Sequence, residues 1–230
     1  MKSPKAAARL AGVLYVLAGA TGVFSYLYLP GAFIAPGDAT ETARRITDGA
    51  LTYRLGIASD LASSIFLLLL ALSLYELLKD HDRRYARLMV SLVAVAVAVA
   101  VVNVLNFIAP LILLSGADFL SAFSKPQQDA LALVFLKLRS SGLALAQVFW
   151  GLWLFPFGLL VIKSALFPKI LGVLLISACL AYVAQSLTFL VLPAYVHVVA
   201  LVTQPIEGLG EGLMILWLLI KGTREPAAAT

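Results

Sequence analysis

Charge is what this chain has least of. Only 13% of its 230 residues are Asp, Glu, Lys or Arg, while 62% are hydrophobic, and the mean hydropathy is +0.99. Soluble domains run near 25% charged, so this chain cannot cover its apolar surface with polar groups, and lipid must be its solvent. Cysteine is almost absent. Cys179 stands alone inside an apolar run, which rules out an intramolecular disulfide. The two histidines, His81 and His197, lie at the edges of apolar runs, so no histidine metal site is expected. There is no His-Glu-x-x-His helix, no Gly-x-Ser-x-Gly elbow and no Walker loop. Ser140-Ser141-Gly142 has no histidine nearby to activate a serine. No cofactor, metal or catalytic residue is therefore assigned, and the reading leans away from an enzyme.

What is present is long apolar segments. Six runs reach the roughly 20 residues that a spanning helix needs: Ala8–Leu29, Leu55–Leu78, Leu88–Leu114, Ser141–Ile162, Ile170–Leu192 and Val198–Ile220. The first starts too late and runs too long to be a cleaved signal. The expected fold is an all-α polytopic membrane protein, a single integral domain over 1–230 with six transmembrane helices and two short helices in the outer loops.

The net charge of +5 and the pI near 9.4 could suggest nucleic acid, but the basic residues cluster at the ends of spans. That pattern marks membrane orientation, and no nucleic-acid partner is expected. Most of the 17 Lys and Arg, including Lys79, Arg83, Arg84, Lys163 and Lys221, fall on one side. Positive charge marks the cytoplasm, so both termini are expected inside. The loops Pro30–Tyr53 and Ser115–Leu138 are then outside. Asp38 and Glu41 have capping-box spacing, which predicts a short helix ending near Asp48. Pro126 suits the first turn of a second, Pro126–Leu138.

The polar residues inside the spans carry the functional expectation. An acid near the bilayer centre costs a few kcal/mol and must face protein or water. Gln204, Glu207 and Glu211 fall within about 60° of one another at helical spacing. Asp60 lies about 9 Å along its helix from Arg54. Asn103, Asn106 and Gln185 sit in the outer halves of their spans, and Arg139 opens the fourth. The inner halves are almost wholly apolar. Arg54, Asp60, Asn103, Asn106, Arg139, Gln185, Gln204, Glu207 and Glu211 are therefore expected to line one outward-facing polar pocket. Two carboxylates one turn apart resist ionising together, so Glu211 is expected to keep a proton, with Asn103 as its hydrogen-bond partner. Gly12, Gly19 and Gly22 share one face, and Gly208 and Gly212 form a Gly-xxx-Gly pair. Both patterns predict close helix contacts.

Several short motifs extend this reading: Arg54-Leu55-Gly56 with Asp60, Gly151-Leu152-Trp153, Pro168-Lys169-Ile170-Leu171-Gly172, and Gly210-Glu211 leading to Lys221-Gly222. On these, the chain from about Leu10 to Gly222 resembles the bacterial membrane family catalogued as domain of unknown function 4386. The resemblance implies a multi-span bacterial membrane protein and supplies no activity, and the inner membrane is the expected location. The function expected from the residues is binding of a small molecule or lipid head group in the outer half of the bilayer. Proton-coupled secondary transport is the alternative, and an enzyme acting on a lipid-like substrate comes third. The lipid bilayer is the one partner the composition itself demands.

Overall fold

The computed structural model describes residues 3–224. Among them the structure is helical, and six helical runs are long and apolar enough to cross a membrane: Pro4–Phe33, Ala50–Leu78, Arg83–Leu113, Lys125–Ser164, Lys169–Val191 and Pro193–Ile220. The first run is not one regular helix. It comprises α1 (Pro4–Val23), a π-helical segment (Phe24–Tyr28) and α2 (Leu29–Phe33). The amphipathic α3 (Ala39–Asp48) comes next, and its start is as the spacing predicts: the Asp38 carboxylate accepts from the Glu41 backbone N–H at 2.8 Å. Arg44 and Arg45 both pair with Glu41, holding that half-buried carboxyl down at about 2.

The second and third runs are α4 (Ala50–Leu78), then α5 (Arg83–Asn103) with α6 (Leu105–Leu113). The run is interrupted at Val104, and Pro110 lies within α6 itself. The chain tightens at Val104, whose N–H is shared between Ala100 O at 3.1 Å and Val101 O at 3.2 Å and whose carbonyl accepts from both Phe107 N–H at 2.8 Å and Ile108 N–H at 3.0 Å.

The fourth run corrects an expectation. No separate short helix spans 126–138, because α7 (Lys125–Leu152) runs unbroken through that segment into the membrane span. Nothing between Leu138 and Ser141 stops a helix. The Ser140 and Ser141 hydroxyls donate back to the carbonyls of Leu136 and Lys137, both at 3.2 Å, instead of capping a new start. The interruption comes later, at Trp153, ahead of Pro156, and α8 (Leu154–Ser164) completes the run. The last two runs are α9 (Lys169–Val191) and α10 (Val196–Ile220), joined by a 3₁₀ turn at Pro193–Tyr195.

The chain divides into two compact units. One comprises Met1–Leu17, Phe66–Val97 and Ala144–Thr230. Its core includes Leu70, Leu74 and Leu78, one face of α4 at four-residue spacing, with Met89, Trp153, Phe157, Leu175 and Met214. Between helices in lipid there is no hydrophobic gain, so close backbone approach and dispersion carry the packing. Gly158 on α8 and Gly172 on α9 show this most directly. A methyl group on either would stand 2.6 Å or 2.5 Å from the other's carbonyl oxygen. The other unit comprises Ala18–Ile65 and Ala98–Leu143. It is built on Leu29, Phe33, Ile46, Tyr53, Phe107 and Leu136, with the Tyr53 hydroxyl donating to Phe107 O at 2.9 Å.

The Gly-xxx-Gly pair does not make the contact its spacing suggests, since nothing lies within 4 Å of a methyl placed on Gly208 or Gly212. The glycine that packs is Gly210, where such a methyl would meet Leu174 O at 2.8 Å. Gly158→Ala and Gly172→Ala are each expected to lower stability by about 1–3 kcal/mol through overpacking, while Gly208→Ala stays near neutral. Thermal unfolding of the purified variants reads the difference, and equal midpoints for all three would contradict the packing described.

Candidate functional site

Two groups of buried polar side chains emerge, one in each unit. In the unit built on Phe107, Asp60 and Arg139 form an ion pair with N–O distance 2.7 Å, and their side chains are 1% and 4% exposed. Arg139 is therefore no interfacial cation reaching for water. Its Nη2 also donates to Ser25 Oγ at 3.1 Å, and Tyr26 donates its hydroxyl to the second Asp60 oxygen at 2.9 Å. The guanidinium lies 4.3 Å from the centroid of the Phe107 ring, a geometry in which the ring face attracts the cation.

The backbone is shaped to make this cluster. Ser25 and Tyr26 both belong to the π-helical segment, and such segments are frequent at functional sites. Asn103 closes α5 at the Val104 break and donates from Nδ2 to the Arg139 carbonyl at 2.9 Å. Asn106 in turn donates to Asn103 Oδ1 at 3.0 Å. Gly142 permits that approach, because a methyl there would lie 2.2 Å from Asn103 Oδ1. One valence is left open. Arg139 Nη1 is buried and has no hydrogen-bond partner. Arg54 is exposed and forms no ion pair among the described residues.

In the other unit the centre is Glu211. Tyr182 on α9 donates to its Oε1 at 2.7 Å, and Tyr15 on α1 donates to Oε2. Those phenols occupy the role expected of Asn103, whose bonds go to Arg139 and Asn106 instead. Thr203 donates to Gln185 Oε1 at 2.6 Å. Glu207, one turn from Glu211, is buried with Oε1 unpartnered, while its neighbour Gln204 is exposed.

The nine candidates are thus divided between the units. Arg54, Asp60, Asn103, Asn106 and Arg139 belong to one, and Gln185, Gln204, Glu207 and Glu211 to the other. Ser25, Tyr26, Tyr15, Tyr182 and Thr203 were not among the sequence candidates. Tyrosine at mid-span was the available signal, since a phenol away from the interface needs a partner. An open groove of about 900 Å³, lined by Leu10, Leu14, Leu69, Leu72, Glu76 and Asp80 among others, involves none of the candidates. No group of three or more His, Cys, Asp or Glu suited to a metal occurs among the described residues.

Comparison with known proteins gives a family match. The family described as "Domain of unknown function (DUF4386)" covers residues 10–222. No curated protein and no solved structure matches.

Tyr15→Phe and Tyr182→Phe keep ring volume and delete one bond each to a carboxylate. Each is expected to cost about 1–2 kcal/mol in reversible unfolding from mixed micelles. Neutral effects for both would remove Glu211 from its place at the centre of this group.

Proposed function

Because the chain belongs to the DUF4386 family, whose description carries no activity, we propose its function from the site alone: an integral membrane protein that binds a small molecule or lipid head group at Arg139. The observation that carries this is the buried, unpartnered Nη1 of Arg139. Buried donors are satisfied in nearly all native structures, and an orphan calls for a partner. Asp60 already balances the charge of Arg139, so the arriving group needs an acceptor oxygen and no net charge. A carbonyl, hydroxyl or ester oxygen fits that demand. The π-helical segment, the Val104 break and Gly142 support the reading, since three local departures from regular packing converge on one pair of side chains.

Orientation completes the proposal. With the basic ends of the spans facing the cytoplasm of a bacterial inner membrane, both termini lie inside and this site lies in the outer half of the bilayer. Proton-coupled transport, the second reading, draws on Glu207 and Glu211 in the other unit and does not need Arg139.

Native mass spectrometry of protein purified in mild detergent tests the binding claim. The wild type should retain a bound small molecule or lipid through delipidation. Arg139→Lys keeps a positive charge near Asp60 but has a single nitrogen, and should lose that adduct while remaining folded. Equal retention by the two proteins, or a wild type that carries nothing, would contradict the proposal.

A further inference from the structure

We propose that the open groove between α1 and α4 holds one phospholipid with a primary-amine head group, an acyl chain lying along the groove and the ammonium resting on Glu76 and Asp80. The groove encloses about 900 Å³, within the ~300–1,000 Å³ of ordinary ligand clefts. Its lining residues all belong to one compact unit, the one without Arg139. α1 contributes Pro4, Ala7, Leu10 and Leu14, whose three- and four-residue spacing places them on one face. α4 contributes a second such stripe that runs from Leu69 through Leu72, Ser73 and Glu76. Ala7 and Ser73 fill less of the space than leucine would.

The groove has the length and the polarity of one lipid leaflet. From Leu69 to Asp80 it follows α4 and the turn after it for about 16 Å at the helical rise. Half of a bilayer's hydrocarbon core is about 15 Å. Leucines line one end, whereas Asp80 and His81 lie just past Leu78, where the spanning helix stops. A molecule in the groove therefore has one end among leucines and the other at the water boundary, which is the order of parts in a phospholipid. Leu10, Leu69 and Leu72 are 45%, 44% and 44% exposed, so a chain enters sideways from the bilayer without parting the helices.

Charge selects the head group. Lys79, Arg83 and Arg84 crowd this end of the span, yet none of them lines the groove, and the carboxylates of Glu76 and Asp80 do. Asp80 forms no ion pair among the described residues. Glu76 pairs with Lys79 at 2.5 Å, an exposed contact that contributes little in water. An arriving ammonium can share that carboxylate, with Lys79 beside it for the lipid phosphate. An acidic pair by itself is a solvated face; this one stands at the mouth of an apolar groove one leaflet deep. Ethanolamine presents three N–H donors to the carboxylates, and the methylated nitrogen of choline presents none. A head group with only negative charge is repelled. This site is separate from the one at Arg139 and stands or falls without it.

The test uses the full chain in mild detergent, titrated with phosphatidylethanolamine, phosphatidylcholine or phosphatidylglycerol carrying the same oleoyl chains. The readout is the lipid-dependent rise of the unfolding midpoint. The ethanolamine lipid should half-saturate at about a tenfold lower concentration than the choline lipid, the effect of one charge-assisted hydrogen bond, and phosphatidylglycerol should bind most weakly. The double variant Glu76→Gln/Asp80→Asn should bring the ethanolamine and choline lipids together. Leu72→Trp fills the groove and should weaken all three; Leu10→Trp, on the facing helix, serves the same purpose should that variant fail to fold. Arg139→Lys should leave the preference for ethanolamine intact, which keeps this result apart from the outcome at the Arg139 site. Equal affinity of the wild type for ethanolamine and choline lipids, or a preference for phosphatidylglycerol, would overturn the proposal. So would an ethanolamine preference that survives the double variant or disappears in Arg139→Lys.

Discussion

An ion pair held out of water imposes the strictest demand in this structure. Asp60 and Arg139 are nearly inaccessible and 2.7 Å apart. Removing two such charges from water costs several kcal/mol per ion, and mutual attraction offsets this only when geometry and further hydrogen bonds are good. The unit that contains them is arranged to meet that condition. A π-helical segment supplies Ser25 and Tyr26, Phe107 lays its ring beside the guanidinium, and Asn103 fixes the backbone of α7 at Arg139 itself. A regular helix through Phe24–Tyr28 would change the direction of both polar side chains, since the wider π turn rotates each residue beyond it about the helix axis. Irregular backbone here is a consequence of satisfying charge in a low-dielectric medium. Such pairs add little net stability and are better understood as fixing one arrangement of helices.

The other unit meets a different electrostatic demand by a different route. Its acids have no arginine. Phenols serve Glu211 from two helices, and Gly210, Gly158 and Gly172 bring backbones close enough for dispersion to replace the hydrophobic driving force that lipid withholds. Tyrosine suits this place because its ring packs among Trp153 and its neighbours while its hydroxyl remains a donor. One pair is charge-balanced and the other is acidic.

Much of the architecture was legible in the sequence because a bilayer constrains length and polarity so strongly. Six apolar runs, the Asp38 cap and the buried character of Asp60 and Glu207 follow from composition and spacing. The departures have physical reasons. No glycine or proline lies within Phe24–Tyr28; the one local signal is Pro30 just beyond it, which has no N–H to offer the Tyr26 carbonyl, and hydropathy does not register it. Arg139 at a span end has the appearance of an interfacial cation, and only a partner on another helix, Asp60, makes it buried. Gly208 and Gly212 have the right spacing but lie on the open side of α10, while Gly210 has no spacing signal and makes the contact. Hydroxyls of Tyr15 and Tyr182 disappear into apolar content when residues are sorted by hydropathy. Each miss concerns tertiary pairing, which periodicity within one helix does not encode.

Asp60 and Arg139 act as one unit, and a double-mutant cycle in reversible unfolding tests that directly. Asp60→Asn and Arg139→Gln, made singly, should each destabilise by about 3–5 kcal/mol, because each leaves a buried charge alone. The double variant should cost far less than the two losses combined, since no isolated charge remains. Strictly additive losses would contradict the account, for they would mean that the two side chains contribute independently and that the unit is not organised around their pairing.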